Sequence, residues 1–139
     1  MIVSKERVRL SSSKDASEHI KKVVTKLDEV DIGKEHFWVI HLNGRNTVIS
    51  VDLVAVGCAT SSLVHPREVF RRAVLLGSIA VIFSHNHPSG DPTPSPEDQR
   101  LTERLVEAGN ILGIKVLDHV IVATEGYVSL METREVWRK

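Results

Sequence analysis

The chain has 139 residues with 18 basic and 18 acidic side chains, so its formal net charge is zero and no overall field draws it to nucleic acid or anionic lipid. Hydrophobic residues make up 42% of it with few aromatics, which suits one aliphatic core built from Val, Ile and Leu. No apolar run is long enough to span a membrane, the first residues lack a signal-peptide centre, and the single Cys58 permits no internal disulfide; a cytoplasmic location is expected, with Cys58 as a small packing residue.

Residues 1–14 are charged and Ser-rich and predict an arm or an edge strand; residues 15–139 show no linker or repeat and predict a single domain. A helix follows from near Ala16 to Glu29, with Ile20, Val23, Val24, Leu27 and Val30 on one face. Two strands come next, Phe37 to Leu42 and Thr47 to about Cys58, joined by Asn43-Gly44-Arg45-Asn46, whose Asn-Gly pair signals a hairpin. A helix from Pro66 to Leu76 turns Val69, Phe70, Ala73 and Val74 inward, and the run Ile79-Ala80-Val81-Ile82-Phe83 reads as a central buried strand. Pro88, Pro92, Pro94 and Pro96, with Gly90 and Asp91, force a loop. Ser95-Pro96-Glu97-Asp98 then starts a helix whose stripe is Leu101, Leu105, Ala108 and Leu112, ended by Gly113. Strands near Ile114 to Ala123 and Tyr127 to Leu130 complete an α/β fold, a three-layer-like sandwich in which a mixed sheet is flanked by helices.

The chemistry concentrates where the central strand ends, at His85-Asn86-His87. Residues two apart on a strand share a face, with backbones about 6.6 Å apart, so both imidazoles can converge on one ion held about 2.0–2.1 Å from each nitrogen. Asp98, in the first turn of the next helix, supplies a carboxylate; alone it is a dipole-complementing residue, and Ser95 alone is a helix cap. Two His and one Asp leave a fourth tetrahedral position for water, the mark of a catalytic rather than a closed structural zinc site. The other histidines have ordinary explanations: His65 suits a helix start, His19 lies on the first helix, His36 and His41 on the first strand of the hairpin, and His119 is a hydrogen-bonded group in the core or behind the metal ligands. Lys21-Lys22 with Lys26 and Arg71-Arg72 fit solvated helix faces.

His85-Asn86-His87-Pro88-Ser89-Gly90 with Ser95 and Asp98 resembles the JAMM (MPN+) metalloprotease motif in the form typical of RadC-like proteins. The likeness continues through Val64-His65-Pro66-Arg67-Glu68-Val69-Phe70, Leu112-Gly113-Ile114, Leu117-Asp118-His119 and Gly126-Tyr127-Val128-Ser129, and spans about Glu35 to Ser129. It implies a JAMM domain of cytidine-deaminase-like architecture, one zinc ion on His85, His87 and Asp98, Ser95 assisting the oxyanion, and a catalytic glutamate at the start of the first core strand. Glu35 fits that place better than Glu68, which falls inside a helix. Adjacent on a strand, Glu35 and His36 point to opposite faces and cannot both serve one site.

The resemblance implies hydrolysis of a peptide or isopeptide bond in an unidentified peptide or protein. A DNA-repair or nuclease role is weighed against it by the neutral charge and the one-metal ligand set. A non-catalytic MPN-type scaffold would lack a ligand, and a deaminase would need cysteines this chain does not have. RadC proteins of full length carry a helix-hairpin-helix region for which this chain has no room, so a stand-alone catalytic domain is expected. No insertion for gripping ubiquitin is evident, and pairing into a homodimer through edge strands is a further expectation.

Overall fold

The computed structural model describes residues 1–57 and 64–133, without the side chains of residues 29 and 30. Cys58 and the side chain of Val30 therefore lie outside the described residues. In chain order the elements are β1 (Ile2–Ser4), α1 (Ser13–Val24), α2 (Glu29–Ile32), β2 (Glu35–Leu42), β3 (Val48–Gly57), α3 (Pro66–Leu76), β4 (Ala80–Asn86), α4 (Pro96–Leu112), β5 (Lys115–Ala123), β6 (Gly126–Ser129) and α5 (Leu130–Thr133). One mixed sheet takes the order β1-β3-β2-β4-β5-β6. Among the described residues only β4 and β5 run parallel; the other pairs are antiparallel.

Every residue of β4 is buried, as a strand flanked on both edges and covered on both faces must be. Alternation along β2 divides the core. Trp38, Ile40 and Leu42 join Ala16, Ile20 and Val23 of α1 on one face, while Phe37 and Val39 meet Val69, Phe70, Leu101 and Leu105 of α3 and α4 on the other. The sheet is thus the middle of three layers, and β4-α4-β5 is the crossover that a parallel pair requires.

The local chemistry moves several boundaries. Ser12 caps α1, accepting from the backbone N–H of Asp15, so the helix begins at Ser13 rather than Ala16. It stops at Val24, and Asp28 caps the separate α2 by accepting from Asp31 N at 2.8 Å. In the β2–β3 turn the left-handed residue is Asn46 (φ 56°), not Gly44. Asn43 organises that turn, its Oδ1 accepting from the N–H groups of Arg45 and Thr47. The expected apolar stripes overrun at their ends: Val74 is 60% exposed and Leu112 is 50% exposed, each in the last turn of its helix. Ile79 precedes β4 and is likewise exposed.

Gly109 takes the inward place on α4 that a larger residue would fill. A Cβ there would stand 2.6 Å from the carbonyl oxygen of Ile114 and 2.9 Å from Val116 Cγ2. Alanine favours a helix over glycine by about 1 kcal/mol, but the backbone clash is larger. Gly109→Ala is therefore expected to lower stability by about 1–3 kcal/mol, read as a lower urea midpoint; a raised midpoint would refute this close approach.

Two histidines away from the β4 carboxyl end are buried. His19, on α1, has neither ring nitrogen hydrogen-bonded, with Glu6, Lys22 and Lys26 the charges around it. His41 is packed near the buried Asp52, but Asp52 is held at 2.7 Å by Arg72 and lies 3.5 Å from His41 Nε2. Burial lowers the pKa of both histidines, outweighing the nearby carboxylates. Their folded pKa values lie below the unfolded value of 6.5, so their contribution to stability is complete above that pH. As the pH falls below it the unfolded chain takes up protons first, and each group costs at most about 1.4 kcal/mol per pH unit until its folded pKa is reached. Between pH 7.5 and 5.5 the unfolding midpoint should fall more steeply for the parent than for His19→Leu; parallel slopes would discard the role of His19.

Candidate metal centre

The site lies at the carboxyl end of β4, and strand pairing assembles it. Phe37 of β2 pairs with His85 of β4. Continuing that antiparallel pairing by two residues sets Glu35 beside His87, on the face that Phe37 and His85 share. Glu35 lies within β2 rather than just before it. His36 points to the other face, where its ring stacks on Trp38.

Beyond the strand the loop folds back on itself. His87 N donates to Val122 O, Gly90 N to His87 O and Glu125 N to Gly90 O, tying the loop to β5 and the β5–β6 turn. Gly90 holds φ 96°, and a Cβ on it would meet Thr124 Oγ1 at 2.9 Å, so only glycine suits this position. The loop ends at the capping box of α4. Ser95 Oγ accepts from Asp98 N at 3.0 Å, and Asp98 Oδ2 accepts from Ser95 N at 2.9 Å. One carboxylate thus caps a helix and faces the two histidines.

Asp98 Oδ1 lies 3.4 Å from His85 Nε2, Asp98 Oδ2 lies 3.3 Å from His87 Nε2, and the two Nε2 atoms are 2.9 Å apart. Four ligands placed tetrahedrally at 2.0–2.1 Å from a zinc ion stand about 3.3–3.4 Å from one another. Both His–Asp spacings match that, and the His–His spacing is a few tenths of an ångström short. Glu35 Oε1 is more distant, 3.9 Å from His87 Nε2. The ligand atoms of Glu35, His85 and His87 nevertheless lie within 4.8 Å of one another, so these three also form a possible metal site. Of the two carboxylates, Asp98 stands closer to His87 Nε2 than Glu35 does.

The electrostatics favour a cation at this spot. Burial opposes the charge of Asp98, yet the two imidazoles that face it, His85 and His87, hold its carboxyl well below the usual carboxylate range. The hydrogen bond to Asp98 raises the pKa of His87 above its ordinary value. Both shifts have one origin, a carboxylate set against two imidazoles, which favours positive charge on the side of the histidines. A groove of about 570 Å³ opens against His87, walled by Val24, Ile32, Pro88 and Val122.

Of the five residues singled out from the sequence, His85, His87, Asp98 and Glu35 come together, and Ser95 stands at the same helix start, exposed and next to Asp98 in the cap. Glu68 lies on α3 with Arg67 and Arg71 as its partners, at 3.7 and 3.2 Å. Sequence reasoning passed over Asn86. Its Oδ1 accepts from His36 N at 2.6 Å and its Nδ2 donates to Lys34 O at 3.0 Å, so it grips the backbone on either side of Glu35. The signal available was its place between two candidate ligands, where a side chain pointing to the opposite face must find work inside the sheet.

Among the described residues no helix is long and apolar enough to cross a membrane. The chain is 54% identical over 101 residues to UPF0758 protein TTE0897 of Caldanaerobacter subterraneus subsp. tengcongensis, covering 73% of this chain and 43% of that protein. It is 57% identical over 98 residues to UPF0758 protein STH371 of Symbiobacterium thermophilum, covering 70% and 42%. With UPF0758 protein lwe1562 of Listeria welshimeri it shares 56% over 99 residues, covering 71% and 44%. This chain thus spans less than half the length of these curated relatives. Residues 10–136 match the family described as the RadC-like JAB domain, so with the mixed sheet and the His-rich strand end in place, the chain belongs to that family.

Proposed function

We propose that this domain is a zinc-dependent hydrolase of amide bonds, peptide or isopeptide, in a peptide or protein substrate. The observation that supports it most is that Asp98 Oδ1 and Oδ2 lie 3.4 and 3.3 Å from His85 Nε2 and His87 Nε2, themselves 2.9 Å apart, with the Glu35 carboxylate 3.9 Å from His87 Nε2. His85, His87 and Asp98 would hold the zinc, which supplies Lewis acidity and brings the pKa of its water near 7.

Glu35 takes the proton of the attacking water and delivers it to the departing amine, the two transfers that hydrolysis of an amide demands. Asn86 keeps the Glu35 backbone in place for both. Ser95 uses its oxygen to cap α4, which leaves its hydroxyl hydrogen to be donated to the oxyanion that forms on the substrate carbonyl. A cytoplasmic setting belongs to the same proposal.

The zinc-loaded protein, incubated with quenched peptide and isopeptide libraries, should cleave at least one class. A strong chelator should stop cleavage and added zinc restore it. Silence on both classes from a protein carrying a full complement of zinc would reject the hydrolase.

A further inference from the structure

A chain of polar contacts behind His85 has no part in the proposed reaction. His119, in the middle of β5, is fully buried, edge-on to Phe37 and Phe83 with centroids 5.5 and 6.2 Å away. Its Nε2 is 2.7 Å from His85 Nδ1, and its Nδ1 meets the Thr102 hydroxyl of α4. The protons in such a chain could point either way, and Thr102 decides the direction. Its hydroxyl has one hydrogen, which it donates to the carbonyl oxygen of Asp98 at 2.8 Å, a group that can only accept. Towards His119 the hydroxyl must therefore accept, and His119 carries its proton on Nδ1.

In an apolar shell of phenyl rings a doubly protonated His119 is strongly disfavoured by desolvation. Its Nε2 is then an acceptor, and His85 must donate from Nδ1. That leaves the lone pair of His85 on Nε2, the atom 3.4 Å from Asp98 and 2.9 Å from His87 Nε2. His87 reaches the same form by a separate route, through Nδ1 and the carbonyl of Asp91 at 3.0 Å.

We propose that Thr102 and His119 are positioning residues that set the tautomer of His85, so that its site-facing nitrogen is free to bind a metal ion. The inference rests on the metal-centre reading above. The relay closes on itself: Asp98 offers its carboxylate to the site and its backbone carbonyl to the far end of the chain of hydrogen bonds that orients its neighbour. Partners of this kind, donating to or accepting from the remote nitrogen of a ligating histidine, set affinity in metal sites generally.

The test has two parts. Long-range nitrogen–proton NMR of the metal-free parent at about pH 8 should place the protons of both His85 and His119 on Nδ1. Thr102→Val keeps the shape and removes the acceptor, so His119 can carry its proton on Nε2 and present it to His85. Zinc affinity, measured by competition with a chromophoric chelator, should then weaken about 10–100-fold. Thr102→Ser, which keeps the hydroxyl, should restore affinity to within about threefold of the parent, a rescue that simple packing would not give. An unchanged zinc affinity in Thr102→Val, or a parent spectrum with the His85 proton on Nε2, overturns the relay. Should the valine variant not fold, the parent spectrum alone decides. A parent that takes up no zinc but shows both Nδ1–H forms would sink the metal reading and leave the relay standing.

Discussion

Purified protein is expected to contain close to one zinc per chain by elemental analysis, and Asp98→Ala and His85→Ala to contain almost none. Each removes one of the three proposed ligands, and Glu35, the other carboxylate at the site, is 3.9 Å from His87 Nε2 against 3.3 Å for Asp98. Asp98→Ala has a second effect that His85→Ala lacks. Its carboxylate accepts from Ser95 N, so alanine should also cost about 0.5–2 kcal/mol of stability through loss of the cap. Asp98→Asn separates the two roles: an amide oxygen can still accept from Ser95 N, whereas the charge that attracts the cation is gone. The expected pattern is two alanine variants without zinc, an asparagine variant with weakened zinc, and a clear drop in unfolding midpoint for Asp98→Ala measured metal-free. Zinc retained in full by either alanine variant would disprove this ligand set.

Glu35→Gln is expected to reduce hydrolysis by about 10²–10⁴-fold, the usual share of a general acid–base group, while zinc content stays near that of the parent. Glutamine preserves the length and hydrogen-bonding shape of the side chain but cannot take up a proton. Because Glu35 stands outside the closest three groups, the ion should survive the change. Glu68→Gln serves as the comparison. Glu68 is engaged with Arg67 and Arg71 on α3, and its replacement should leave turnover within about twofold of the parent. Full activity in Glu35→Gln, or collapse in Glu68→Gln alone, would move the proton carrier to the other glutamate.

Most of this arrangement can be read along the chain because its parts are local. The alternation that puts His85 and His87 on one face is a property of any strand, and the Ser-Pro-Glu-Asp start of α4 carries its own chemistry in four adjacent residues. What could not be read depends on register between distant segments. That Asn86 reaches the peptide groups around Glu35, or that His119 stands between His85 and Thr102, follows from how β2 and β5 pair with β4 and how α4 lies on β5. The sequence marked His119 as a hydrogen-bonded group but offered no partner for it. Helix ends misled for a related reason. Periodicity continues through Val74 and Leu112, but which residues of a last turn find a neighbour to pack against is not written in the helix. In the β2–β3 turn the Asn-Gly pair signalled a reversal correctly, yet the residue bearing the strained backbone is Asn46, chosen by the hydrogen bonds of Asn43.

The grip of Asn86 on the main chain at Lys34 and His36 makes it an index pin for the neighbouring strand. Sliding that strand by a single step would break both contacts and swing Glu35 to the side where α1 packs. His85, His87 and Asp98, all drawn from one stretch of the crossover, would keep their places. Under the proposed mechanism such a molecule would keep its zinc ligands and lose its proton carrier, so metal content alone would not report competence.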